Sequence, residues 1–166
     1  MHFGVLAHFG GQEGGPLMER YYEDMEVDEE HESPARTITE ADVVNFSAFS
    51  GDWSPVHSDE EFCRKTPFKT RIAHGLLGLA LTEGLKFRIP AFATARYMAS
   101  LYWNYKFTAP ILIGDTVRLK VKIQSKRETK KPDRGIVIEH VTMLNQRNEV
   151  VGEGEHGLMV YRKGSL

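Results

Sequence analysis

Gly75-Leu76-Leu77-Gly78-Leu79-Ala80-Leu81-Thr82-Glu83-Gly84-Leu85-Lys86-Phe87 is apolar nearly all round, and that property decides the fold. A membrane span needs about 20 consecutive apolar residues, and Glu83 and Lys86 interrupt this run too early. The spacing therefore predicts a helix buried inside a globular domain. Gly78, Ala80 and Gly84 leave room for neighbouring backbone to come close, at a cost in helix propensity. A helix of this kind needs something wrapped around it.

The C-terminal half supplies the wrapper. Val117-Arg118-Leu119-Lys120-Val121-Lys122-Ile123-Gln124 alternates apolar and polar, the pattern of a half-buried strand. Tyr97, Ala99, Leu101, Trp103, Tyr105 and Phe107 share one face of an earlier strand that ends near Pro110. Residues 136–144 and 149–161 continue an antiparallel series, with turns at Ile113-Gly114-Asp115, at 131–135 and at 145–148. Upstream, Thr39-Glu40-Ala41-Asp42 fits a helix N-cap with an acid at the third position, ahead of Val43, Val44, Phe46 and Phe49 on helical spacing. Ser58-Asp59-Glu60-Glu61 has the same form and opens a short helix that Pro67 stops. Helices first and strands second make an α+β domain.

At 41% hydrophobic and 27% charged residues the composition is that of a globular protein, and a length of 166 residues suits one domain. A net charge of -2 gives no basic field for nucleic acid. The lone Cys63 allows no intrachain disulfide and suits a cytoplasmic setting. Neither Cys pairs nor His-x-x-x-His spacing is present, so no metal is expected. Residues 1–17 are glycine-rich without Lys or Arg, which reads as a flexible tail rather than a secretory signal, with the single domain occupying 18–166.

Chemistry concentrates just before the apolar helix. Gly51-Asp52-Trp53-Ser54-Pro55-Val56-His57 offers a carboxylate and an imidazole in one turn, because Pro55 fixes its own φ and pushes Ser54 toward an extended conformation. Asp52 to His57 should therefore not form a regular helix. His74-Gly75 then opens the helix, where backbone N–H groups and the dipole favour negative charge. A base, a second proton carrier and an anion-stabilising terminus suit a carbonyl compound whose transition state carries charge on oxygen. The same residues are also ordinary turn signals, and His74 alone reads as a core or capping histidine.

Ser50-Gly51-Asp52-Trp53-Ser54-Pro55-Val56-His57 resembles the signature S/T-G-D-x-N-P-hydrophobic-H of the MaoC-like dehydratases and (R)-specific enoyl-CoA hydratases. Residues 71–77, Arg-Ile-Ala-His-Gly-Leu-Leu, resemble that family's second block, and residues 22–27 and 36–42 its lead-in, so the similarity runs over about residues 20 to 163. The resemblance implies a hotdog fold, a curved antiparallel sheet around one long central helix. It implies catalysis by Asp52 and His57 on an acyl-CoA thioester held near Gly75, with Ser54 and His74 beside it, no cofactor, and a homodimer with the cleft between subunits. Ser54 replaces the family's Asn, and one hydroxyl cannot make both contacts of an amide. Two other readings share the scaffold: a thioesterase whose acid is Glu83, and a non-catalytic acyl-thioester-binding module. Lys126, Arg127, Lys130, Lys131 and Arg134 form a basic run that reads as a solvated loop, though coenzyme A phosphates would suit it. His140 and His156 are expected on the wet side of the sheet.

Overall fold

The computed structural model describes residues 18–165. The expected tail over residues 1–17 lies outside the described residues. After a 3-10 turn at Tyr22–Asp24 come two short strands, β1 (Glu30–Glu32) and β2 (Arg36–Thr37). The helices follow: α1 (Glu40–Ser50), α2 (Pro55–Ser58), α3 (Glu60–Cys63), α4 (Gly75–Lys86) and α5 (Pro90–Ala93). Four long strands complete the chain: β3 (Tyr97–Phe107), β4 (Thr116–Glu128), β5 (Arg134–Leu144) and β6 (Val150–Tyr161).

The strands form one antiparallel sheet in the order β1-β4-β5-β6-β3, with β2 also paired to β4. Its inner face is built by strict alternation: Val117, Leu119, Val121 and Ile123 of β4 are fully buried, as are Val137, Val141 and Met143 of β5. α4 lies against this face through Leu77, Gly78, Thr82 and Leu85. The α+β expectation and the sheet around a central helix are both observed.

Four details differ from the sequence reading. α4 is not enclosed all round, because Leu76, Ala80 and Gly84, four residues apart, are exposed along one stripe of this single chain. The interrupting Lys86 is instead wholly buried. The aromatic strand does not keep one face: register shifts between Tyr97 and Ala99 and between Ser100 and Tyr102 each insert a residue. Each bulge reverses the parity of the residues beyond it, so Tyr97, Trp103 and Tyr105 pack on the core while Ala99 and Leu101 are exposed. The second acidic helix starts one residue later than Ser58, since the Asp59 side chain caps it by accepting from the Phe62 N–H. α1 starts where expected, with a complete capping box at Thr39 and Asp42, and it ends at Gly51, which lies in the left-handed region at φ 78°.

Candidate active site

The turn between α1 and α2 carries the first two groups. Gly51 reverses the chain, and the Asp52 carboxylate accepts the Ser54 N–H at 3.1 Å through Oδ1. Ser54 is extended, as a residue before proline must be. Pro55, Val56, His57 and Ser58 nevertheless form one helical turn, because proline's φ suits a helix's first position and its missing N–H is not needed there. That turn is pinned from beneath by the buried Cys63 thiol, which lies 3.4 and 3.3 Å from the carbonyls of Pro55 and Val56. Burial pushes this thiol's pKa up, so it packs and donates rather than reacts.

His57 is oriented by backbone from the next segment. Its Nδ1 lies 2.7 Å from the carbonyl of Ile72, and Ile72 in turn donates its N–H to Val56. A carbonyl only accepts, so Nδ1 carries the hydrogen and Nε2 is the free acceptor of the neutral ring. Nε2 faces the half-exposed Asp52 Oδ2 across 3.9 Å. The gap is too long for a direct hydrogen bond. A water placed between the two acceptors can donate one hydrogen to each, leaving its lone pairs free.

Gly75 opens α4, so its N–H has no intrahelical carbonyl to bond and points out of the positive end of the helix. A Cβ here would meet the Phe107 ring at 3.1 Å, a tight contact that the ring would have to yield to. Gly75 also lines a largely apolar cavity of about 390 Å3, together with Phe68, Ile72, Gly78, Tyr105, Phe107 and Ile111. A shallower hollow of about 310 Å3 on the outer face of the sheet, beside His31, Lys120 and His140, belongs to a different region.

The structure brings Asp52, His57 and His74 together and sets Gly75 on the cavity wall. Asp52, Ser54, His57 and His74 do not line that cavity, and the site meets it through Gly75 and Ile72. Ser54 contributes backbone, and its side chain makes no capping bond to α2. His74 is buried behind His57, the two rings stacked with centroids 3.7 Å apart. Asp52, His57 and His74 each have a ligand atom within 4.8 Å of the others'. Stacked imidazoles, however, aim their in-plane lone pairs side by side rather than at one point, which does not suit sharing an ion.

A second polar cluster at the other end of α4 escaped the sequence reading. Lys86 Nζ lies 3.1 Å from Glu139 Oε2, both wholly buried, and the Tyr97 hydroxyl donates to Glu139 Oε1 at 3.0 Å. Burial pushes the carboxyl of Glu139 and the phenol of Tyr97 upward. His156, expected on the wet side, is also fully buried and stacks on Trp103 at 3.7 Å. Burial, with Lys86 alongside, lowers its pKa to about 3. Strand parity held the missed signal: Glu139 alternates in step with Val137 and Val141, and His156 with Leu158 and Val160. Glu83, the acid of the hydrolytic reading, lies about 12 Å along the helix axis from Gly75, and Lys86 holds it at 3.3 Å.

The basic run is at the far end of the sheet. It flanks the pairing of Glu128 with Gly135, whereas Gly75 sits beside Phe107 at the opposite end of the ladder. Within it, Lys126 donates to the Met25 carbonyl over the Tyr22 ring, and Arg134 pairs with Asp133. Among the described residues, no helix is long and apolar enough to cross a membrane.

Comparison with known proteins gives the family. Residues 24–144 match the family described as a MaoC like domain. An (R)-specific enoyl-CoA hydratase of Rhodospirillum rubrum is 35% identical over 149 residues, covering 89% of this chain and 96% of that protein. An (R)-hydratase structure from Pseudomonas aeruginosa superposes with a TM-score of 0.68 at 30% identity, over 84% of each chain. A Mycobacterium tuberculosis protein described as a double hotdog fold gives 0.76 at 18% identity, covering 89% of this chain and 46% of that one, a likeness of fold alone. Motif, sheet and helix terminus thus have one common origin: this chain belongs to the MaoC-like dehydratase family, built on the hotdog fold.

Proposed function

We propose that the protein is an (R)-specific hydratase that adds water reversibly to trans-2-enoyl-CoA thioesters, giving (R)-3-hydroxyacyl-CoA. The observation that carries this reading is the pair of proton acceptors, Asp52 Oδ2 and His57 Nε2, facing each other across 3.9 Å beside the start of α4. A water donating to both presents its oxygen to the β-carbon. As the C–O bond forms, the π electrons of the double bond move toward the thioester oxygen, and Asp52 takes a water proton. The enolate-like charge is met by the Gly75 N–H and the dipole of α4, which act hardest where charge develops. The pair then returns a proton to the α-carbon, so the site ends as it began. The apolar cavity beside Gly75 receives the acyl chain. No metal or cofactor is needed for this sequence of steps.

The assay is incubation with crotonyl-CoA, following both enoyl absorbance and release of free thiol. Loss of absorbance without thiol supports the hydratase. Thiol release would instead make the protein a thioesterase, and no change a binding module.

The same reading includes a homodimer. Among the described residues β3 ends the sheet with an unpaired edge, and Leu101, Tyr102 and Phe107 are exposed along it. A twofold axis lets that edge pair with itself. Light scattering at micromolar concentration should give twice the chain mass of 18.8 kDa, or a multiple of that dimer. A fully active monomer would show that the cleft is not shared.

A further inference from the structure

We infer that His74 is a positioning residue, a buried clamp that sets the Asp52 turn and the His57 ring at once. Its kinetic consequence rests on the hydratase reading. Its geometric basis is independent of that reading.

His74 is 2% exposed, and it touches each part of the site without facing the cavity. Its Nε2 lies 3.0 Å from the backbone carbonyl of Asp52 and 3.3 Å from the hydroxyl of the buried Ser47. The carbonyl can only accept, so Nε2 bears the hydrogen. Nδ1 is then the bare nitrogen, and it has no hydrogen-bond partner among the described residues. The ring face stacks on His57 at 3.7 Å, with an interplanar angle of 29°. The Phe46 ring, 4.9 Å away from α1, also packs against it. The residue itself is the N-cap of α4, directly before Gly75.

Two loose pieces are thereby tied to a rigid one. The Asp52 turn is exposed and would be free to shift its carboxylate, but its carbonyl is held from α4. The His57 ring is fixed at one edge by Ile72 and across one face by His74. A misplacement of about 1 Å can cost on the order of 10²-fold in rate, and the 3.9 Å gap leaves room for one water only if both walls stay in place.

The test separates the donor from the ring. His74→Gln can place an N–H near the Nε2 position but has no aromatic face; His74→Phe keeps a face and loses the donor; Ser47→Ala leaves both and removes a neighbour. With crotonyl-CoA, His74→Ala should lower kcat on the order of 10²-fold, while KM stays within about twofold of wild type. His74→Gln and His74→Phe should each recover part of that loss, and Ser47→Ala should lose least. Rates are taken per folded protein, from circular dichroism of the same samples. A rise in KM with kcat unchanged would overturn the inference by making His74 a substrate contact, and so would losses that only follow the folded fraction. In ¹⁵N-histidine NMR of the wild-type protein, the hydrogen of His74 should sit on Nε2 and that of His57 on Nδ1. A His74 hydrogen on Nδ1 overturns the clamp. If the wild-type protein proves inactive on crotonyl-CoA, the hydratase reading falls, and the NMR result still decides the clamp.

Discussion

The two ends of α4 use the same side-chain types to opposite ends. At the N-terminus, Asp52 and His57 stand 3.9 Å apart with unfilled acceptors, and half of the carboxylate is open to solvent. At the C-terminal end, Glu139 and His156 are wholly buried, and each has its donors supplied. Lys86 lies 3.4 Å from His156 Nδ1, which puts the ring hydrogen on Nε2 and aims it at Ser100, 2.7 Å away. His156 therefore donates to Ser100 and cannot take its proton. An imidazole and a carboxylate become reactive where one acceptor is left facing water, and structural where every acceptor is filled.

Breaking the first end should change activity most. Asp52→Asn and His57→Ala should each lower kcat by about 10² to 10⁴, the range usual for a general acid or base, with little change in melting temperature. Crotonyl-CoA turnover beside a thermal melt checks this. Retained turnover in either variant would remove that residue from the chemistry and erase the contrast between the two ends.

Breaking the other end should change stability instead. Glu139→Leu leaves the buried Lys86 ammonium with only the part-exposed Glu83, 3.3 Å away, as counter-charge, at a cost of up to about 3–5 kcal/mol. Pairing it with Lys86→Met should restore much of that loss, because two apolar groups need no partners. Chemical denaturation of the two variants gives the comparison. Equal instability of the single and double variants would mean that packing, not charge, holds this end.

A pH dependence sharpens the same contrast. The His156 pKa falls to about 3 in the folded chain, against 6.5 for the ordinary ring. The unfolded chain therefore binds a proton that the folded chain refuses. The stability that this ring contributes is complete above pH 6.5 and is lost as pH falls from there toward 3. The slope is about 1.4 kcal/mol per pH unit. Relative to wild type, His156→Leu should lose less stability between about pH 6.5 and 4.5. Parallel stability curves would show that the folded and unfolded chains bind a proton at His156 equally well.

The smallest effect belongs to Ser54. Its backbone N–H already holds Asp52 Oδ1, and its side chain makes no cap. Ser54→Asn should leave kcat within about threefold of wild type or improve it, since the amide adds a second hydrogen-bonding arm. A large loss would show that this turn has been rebuilt around serine.

Local patterns made much of this legible in the sequence. The capping box at Thr39, the strand alternation from Val117 and the extended Ser54 before Pro55 act within a few residues, and side-chain chemistry and backbone sterics suffice to read them, although the helical turn that begins at Pro55 was not expected. Asp52, His57 and Gly75 stood out as candidates through their residue types and the family resemblance. Only the tertiary structure decided who meets whom across long stretches of chain. His57 finds the carbonyl of Ile72, His74 finds Asp52, and Lys86 finds Glu139, at sequence separations of 15, 22 and 53. Two bulges in β3 turned Ser100 rather than Leu101 toward His156. A one-residue shift reverses every later side chain in a strand, and a burial partner is chosen by packing geometry that no local pattern contains.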